Sequence, residues 1–359
     1  MKANLFISCC LISFAAFGIF LIACEKSPVK PTPEPPKDPR QYSWTVDTLS
    51  YPGSFQTVLN RIWGSSPQNV YVVGHCDDIR GQMYHFDGKA WHPISFTYWG
   101  PIDLTNIYGF SENDIWIVGS QYHQTGRDSL GYPIYYWSSL IIHYNGSTWQ
   151  KPLDEGGQSL ISVWGISPTD IWASGINTLL HYDGAKWAHV PIFMPSQGVQ
   201  FTSISGLSSN DVYMTGYRND VISPIDSTFY YLYHYDGLAW SIIDSACITI
   251  GASNIKFGEL LKTIDGQLYS EKHALFILDG GSWTKLFEDP YVISFGGNRR
   301  DNIFCIGGYG TVFHYNGTDW QRIVIAPNFQ EHLYDVWTDA RETFMITHDG
   351  YQTYIIHGK

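Results

Sequence analysis

His85, His143, His181, His234 and His314 each stand two residues ahead of an Asp-Gly or Asn-Gly pair. Imidazole is the commonest metal ligand and a ready general base, so five recurring histidines invite a metal centre. A metal ion needs its ligands within one coordination sphere, roughly 2 Å from the ion. These histidines instead occupy one place in five copies of a repeat, and symmetry spreads equivalent residues around a ring. They are expected to be structural, and no metal is expected. Asp114, Asp170 and Asp211 recur too, fail as an acid–base pair for the same reason, and are expected to cap local amides in short turns.

No GxSxG, HExxH, P-loop or strand-to-helix GxGxxG occurs, so no cofactor is expected. Cys76, Cys247 and Cys305 lie beyond the N-terminal region, odd in number and without CxxC spacing, which suits isolated thiols. The formal charge of −12 argues against nucleic acid and against anionic bilayer surfaces as partners.

The elements that carry these residues recur along the chain. ISVWGISPTDIWASGINTLLHYDGAKW, from Ile161 to Trp187, echoes LNRIWGSSPQNVYVVG from Leu59 and LTNIYGFSENDIWIVG from Leu104. Trp44, Trp91, Trp149, Trp187, Trp240, Trp283 and Trp320 mark one position, and Gly64, Gly109, Gly165, Gly206 and Gly296 mark another. The seventh copy has Thr338 at the glycine position, and the fifth is too degenerate to align near Phe257; both anchors give seven units of about 45 residues, the period of a four-stranded propeller blade. β-Branched and aromatic residues dominate each unit, in runs too apolar for a sheet with one wet face. The Asx-Gly pairs are expected as two-residue type I′ hairpins between strands c and d. The fifth unit, Cys247 to Trp283, lacks the repeated phrases and is expected to be irregular. The last unit offers three strands, and YSWTVDT from Tyr42 looks like a fourth without a blade. The expected fold is all-β: a seven-bladed β-propeller of four-stranded antiparallel blades, the last closed by the N-terminal strand.

Ahead of the repeats, Lys2 and an apolar run from Leu5 to Ala23 read as a secretion signal ending in Leu21-Ile22-Ala23-Cys24. This resembles the lipobox of bacterial lipoproteins, which implies cleavage before Cys24 and lipid on its sulfur. The domain reading is signal peptide 1–23, lipidated cysteine and Pro-rich tether 24–41, and propeller 42–359. The IWG…ND[VI][YW]xVG…HYDGxxW unit is similar to repeats of bacterial secreted and lipid-anchored seven-bladed propellers. The resemblance implies a cell-envelope protein, facing the periplasm or the exterior and held to the membrane by its lipid.

The b–c and d–a connections vary and are long, whereas the a–b and c–d turns are short and repetitive. The second blade's b–c stretch, Ser120 to Ser139, brings Tyr122, His123, Arg127, Tyr132, Tyr135, Tyr136 and Trp137. The preceding d–a loop adds Tyr98 and Trp99, and the fourth blade's loop adds Arg218 and Asp220. Long loops on a rigid scaffold carry function, and Tyr, Trp and Arg are enriched at binding hot spots. The expected role is a binding or scaffold module holding a protein or glycan on this face. The alternative is a glycan-active enzyme of sialidase or glycosidase type. YNGSTW and YNGTDW resemble the end of a sialidase Asp-box but lack its leading SxD.

Overall fold

Every strand of the repeat pairs within its own unit, giving seven four-stranded antiparallel sheets. The computed structural model describes residues 37–195, 198–220, 227–249, 257–326 and 329–359. The expected signal peptide, Cys24 and most of the tether lie outside the described residues. Blades 1 to 6 begin with strand a at Thr57–Ser66, Ile102–Ser111, Leu160–Ser167, Gln200–Ser208, Leu260–Ile264 and Val292–Arg299. Blade 7 is Leu333–Thr338, Thr343–His348 and Thr353–Gly358, completed by Trp44–Leu49 as strand d. The register runs from Trp44 opposite Gly358 to Leu49 opposite Thr353, so the two ends of the chain close the ring.

The continuous apolar runs are explained by where the cores lie. Seven buried clusters occupy the seven junctions between neighbouring blades. One joins Val73 and Met83 of blade 1 to Ile107 and Ile117 of blade 2. Another joins Ile346 and Ile355 of blade 7 to Leu59 and Val72 of blade 1. Each sheet is therefore buried on both sides, and polar alternation has no wet face to serve. Fully burying one such side chain is worth roughly 1.5–3 kcal/mol.

The repeated polar residues do different work from that expected. In the c–d turns Phe86 pairs with Trp91, so four residues, not two, make the connection. The Asp87 carboxylate accepts from the Lys89 and Ala90 amides, at 2.8 and 2.9 Å, and only Gly88 takes positive φ, at 89°. The Asx residue is thus a cap and the glycine alone supplies the left-handed step, as in the Asn145, Asp183, Asp236 and Asn316 copies. Type I′ is overturned because a four-residue loop can be closed by an Asx side chain. In the a–b turns Asp114, Asp170 and Asp211 reach across the blade rather than capping local amides. Each accepts from the Nε2 of a repeat histidine at 2.8 Å: His143, His181 and His234 respectively. The histidine rings lie flat on strand b, His143 on Trp116 at 3.8 Å and His181 on Trp172 at 4.1 Å. His85 and His314 use Asn69 and Asn302 instead. His357 makes an unforeseen sixth copy, with Glu342 at 2.6 Å and Phe344 beneath.

Two further findings concern alignment. Register places Gly297, not Gly296, in the place of Gly64, since Gly297 faces Ile303 as Gly64 faces Val70. Blade 5 departs from the others as expected, though not by losing a strand. It has four strands, and its a–b pairing from Leu260–Glu271 to Ile264–Gln267 carries no bulge. In blades 1, 2, 3, 4, 6 and 7 strand a does bulge, ahead of Arg61, Asn106, Ser162, Ser203, Ser294 and Asp335. Several of these side chains tie one blade to the next. Ser162 Oγ accepts from the Ile204 amide at 3.2 Å, Ser203 Oγ from Leu261 at 2.9 Å, and Asp335 Oδ2 from Ile62 at 3.2 Å.

Candidate functional site

The second blade's long b–c stretch is not a loop. Strand b runs from Asp114 to Arg127 and strand c from Pro133 to Tyr144, so a two-stranded ribbon projects from the ring. Its tip is a short turn. Asp128 Oδ1 accepts from the Leu130 and Tyr132 amides, both at 2.9 Å, and Gly131 has φ of 86°. Arg127 donates to the Gly131 carbonyl at 2.6 Å, so its guanidinium closes the turn.

Successive side chains of a strand point to opposite sides, so the pairing sorts those of the ribbon onto two faces. Tyr122 pairs with Trp137 and Gln124 with Tyr135 on one face, and His123 pairs with Tyr136 on the other. The Tyr122 ring packs at 4.7 Å from Trp137, and its hydroxyl donates to the Asp103 carboxylate. Burial, then that carboxylate, pushes the Tyr122 phenol far above its ordinary range. Asp103 also holds His75 of blade 1 at 2.6 Å, and this hydrogen bond raises the imidazole pKa. The arm is therefore footed on two blades. His123 stacks on Tyr136 at 4.6 Å and meets Ser138 Oγ at 2.8 Å. The remaining aromatic surface is open: Trp137 is 50% exposed, and Tyr135 and Tyr136 are each 47% exposed.

The preceding d–a connection supports the base. Trp99 is half-buried, stacked on the buried Phe96 at 4.7 Å, while Tyr98 faces outward. The Gln121 amide donates to the Trp99 carbonyl. Arg218 lies apart from this group. It stands on the arm of blade 4, opposite Phe229, with its guanidinium 4.9 Å from that ring. Tyr98, Trp99, Tyr122, His123, Arg127, Tyr135, Tyr136 and Trp137 are thus brought together, and Arg218 is not.

The two arms differ at their edges. In blade 4, strand d covers strand c to its tip, pairing Ser227 with Thr249. In blade 2, strand d ends at Gly156 opposite Ser138, and Pro133–Trp137 has no neighbour on that side among the described residues. By contrast, the b–c turn of blade 3 takes two residues, Ile176 and Asn177.

A second feature gave no signal in the sequence. Strand a of all seven blades lines an axial cavity of about 940 Å³. Lys262 of blade 5 reaches Asp335 of blade 7 at 2.7 Å across the bore. Glu259, Glu271, Lys272 and His273 rim the loop-face mouth. Lys272 donates to Glu259 and, at 2.5 Å, to the Tyr230 hydroxyl. The Glu271 carboxyl is buried, and that burial raises its pKa to about 8. The fifth unit had lost the repeat's phrases, so nothing in it marked these residues.

No protein-family model matches the chain, and no curated protein sequence does. Among solved structures it is similar to YCF48 bound to a D1 peptide, with a TM-score of 0.56 and 12% identity over 90% of this chain and 98% of that one. YCF48 from Cyanidioschyzon merolae gives a TM-score of 0.53 and 13% identity, over 88% of this chain and 98% of that one. The extracellular domain of the one-component system BT4673 from B. thetaiotaomicron gives 0.56 and 14%, over 86% of this chain but 39% of that one. At these identities the likeness is one of fold.

Proposed function

We propose that this chain is a lipid-anchored binding module of the bacterial cell envelope, which holds a protein or glycan partner on the aromatic arm of blade 2. The observation that carries the reading is the bare edge beside exposed rings. Proteins normally cover or blunt a sheet edge, because its unpaired amides and carbonyls invite another strand. Blade 4 covers its arm with strand d, while blade 2 leaves its arm uncovered and lines it with Tyr135, Tyr136 and Trp137. Such rings offer large, rigid contact area at low entropy cost. The same scaffold holds a peptide in YCF48 and forms extracellular domains of bacterial sensors, which accords with a binding role outside the cytoplasm.

The entry of the chain into the ring supports the geometry. Strand d of blade 7 starts at Trp44 on the face of the short turns. Just before it, Arg40 is fixed to the blade 6 turn, through the Asp319 carboxylate at 2.9 Å and the Asp319 carbonyl at 2.7 Å. The chain therefore enters the ring on the turn face, opposite the arms.

The test is a shortened arm. Tyr122 gives its amide to Pro101, so His123 and Tyr136 are the pair that bond across the ribbon. Replacing residues 124–135 by Asn-Gly, with Tyr136→Thr and Trp137→Thr, removes the exposed rings and keeps a bonded pair beside a two-residue turn. Residues 37–359, with and without the arm, are to be cross-linked to envelope extracts and applied to a glycan array. A partner taken by the intact ring and lost with the arm is the expected result. A partner retained at unchanged affinity by the shortened ring would place binding elsewhere.

A further inference from the structure

The six residues that follow the strand a bulges form one polar rung around the axial cavity: Arg61, Asn106, Ser162, Ser203, Ser294 and Asp335. Ser162, Ser203 and Asp335 spend their side chains on the amide of the next blade. Arg61 cannot do this, because a guanidinium has donors only. Among the described residues it gives one bond, Nη1 to the neighbouring Asn60 carbonyl at 2.9 Å, and meets no carboxylate. The acid on the rung, Asp335, is already held by Lys262 and by the Ile62 amide. At the mouth, Glu259 is held by Lys272. Asn106, on the adjacent blade, has a carboxamide with no hydrogen-bond partner among the described residues, and it lines the same cavity.

We propose that the axial cavity is a binding site for a carboxylate, held by the Arg61 guanidinium and the Asn106 amide. The cavity, about 940 Å³, is of a size that takes small molecules. Its wall supplies a half-buried cation with no carboxylate beside it among the described residues, and partial desolvation makes such a charge costly to leave unpaired. A carboxylate matches the guanidinium fork by two parallel bonds and leaves an oxygen lone pair for the amide. One guanidinium and one carboxamide suit a monoanion, whereas a phosphate dianion would call for more charge. Ile161 and Ile293, at the bulges of blades 3 and 6, give the wall apolar surface for the body of the acid. The carboxylate could belong to a free small acid or to a chain terminus. This site is independent of the arm, since Arg61 and Asn106 lie on the inner strands.

The test titrates the ring with benzoate, inorganic phosphate, trialanine and trialanine amide. Binding is read by calorimetry and by the side-chain Nε–H resonances of ¹⁵N-arginine-labelled protein. Saturable binding of benzoate identifies a small acid, and of trialanine but not its amide a chain terminus. Either is to shift one resonance, the one that is missing in Arg61→Gln. Arg61→Gln should weaken binding at least tenfold, Arg61→Lys should restore it only in part, and Asn106→Ala should weaken it severalfold. If Arg61→Gln does not fold, the arginine resonances of the intact protein and Asn106→Ala decide. The proposal is overturned by no saturable binding, by saturable and equal binding of trialanine and its amide, by tighter binding of phosphate than of either acid, or by binding indifferent to these substitutions.

Discussion

The indole of Trp44 lies over the α-carbon of Gly358, so near that a Cβ there would sit 2.4 Å from the ring. The same two residues open the register that closes the last blade. Gly358→Val should therefore push the first strand off the ring and cost about 2 kcal/mol or more. Deleting Tyr42 to Thr48 should cost far more, because it bares the edge from Thr353 to Gly358 and one side of the blade 7 core. Calorimetry should show a fall in Tm of many degrees for the deletion, a smaller fall for the valine, and little change on removing residues 27–35.

His314 predicts an acid-side loss of stability. Burial, then the nearby Arg40 guanidinium, pushes its imidazole down to about 4. In the unfolded chain it titrates near 6.5, so between those values the unfolded state binds the extra proton. The neutral ring's contribution is present above about pH 6.5 and is lost as pH falls toward 4. In full it is worth roughly 3 kcal/mol. His314→Gln, which can still meet Asn302, should flatten the fall in Tm between pH 6.5 and 4. An unchanged slope would mean that this ring is not what acid attacks.

Glu271 predicts the opposite slope at higher pH. Its carboxyl titrates near 8 in the folded ring, chiefly through burial, against about 4.5 unfolded. Stability tied to the protonated form is complete below about 4.5 and is lost as pH rises through 8. Glu271→Gln keeps an acceptor for the His273 amide, bonded at 2.7 Å, and removes the charge. It should gain roughly 2–4 kcal/mol over the parent at pH 8.5 and little at pH 5. Equal denaturant midpoints at both pH values would refute a buried, neutral Glu271.

Lipid attachment at Cys24 is checked by metabolic labelling. Cys24→Ala should accumulate as unprocessed precursor without acyl label, while the parent matures and partitions with membranes. A mutant that still takes up labelled fatty acid and is cut at the same place would remove the anchor.

The local repeats were legible because their signals are local. Tryptophan at the start of strand d, the Asx-Gly pairs and the apolar runs fix strands and turns within about 45 residues, and they count to seven. The missing fourth strand of the last unit pointed to ring closure by Tyr42 onward, and the Trp44–Gly358 register bears it out. The turn type was misjudged because Asp-Gly chemistry serves both a two-residue hairpin and a four-residue Asx-capped loop, and only strand register separates them. The sequence of the arm reads as a loop because a solvent-exposed ribbon has no core to impose an alternating pattern on it.

Tertiary structure alone decided what meets across blades. Asp335 finds both Lys262 and the Ile62 amide, through contacts 73 and 273 residues apart. No periodicity encodes such pairs, since each partner sits at an ordinary position of its own repeat. Closing the ring brings equivalent positions face to face around one axis. Ser162, Ser203 and Asp335 there are spent on the next blade's backbone, while Arg61, which has no acceptor to give, lines the cavity without such a bond.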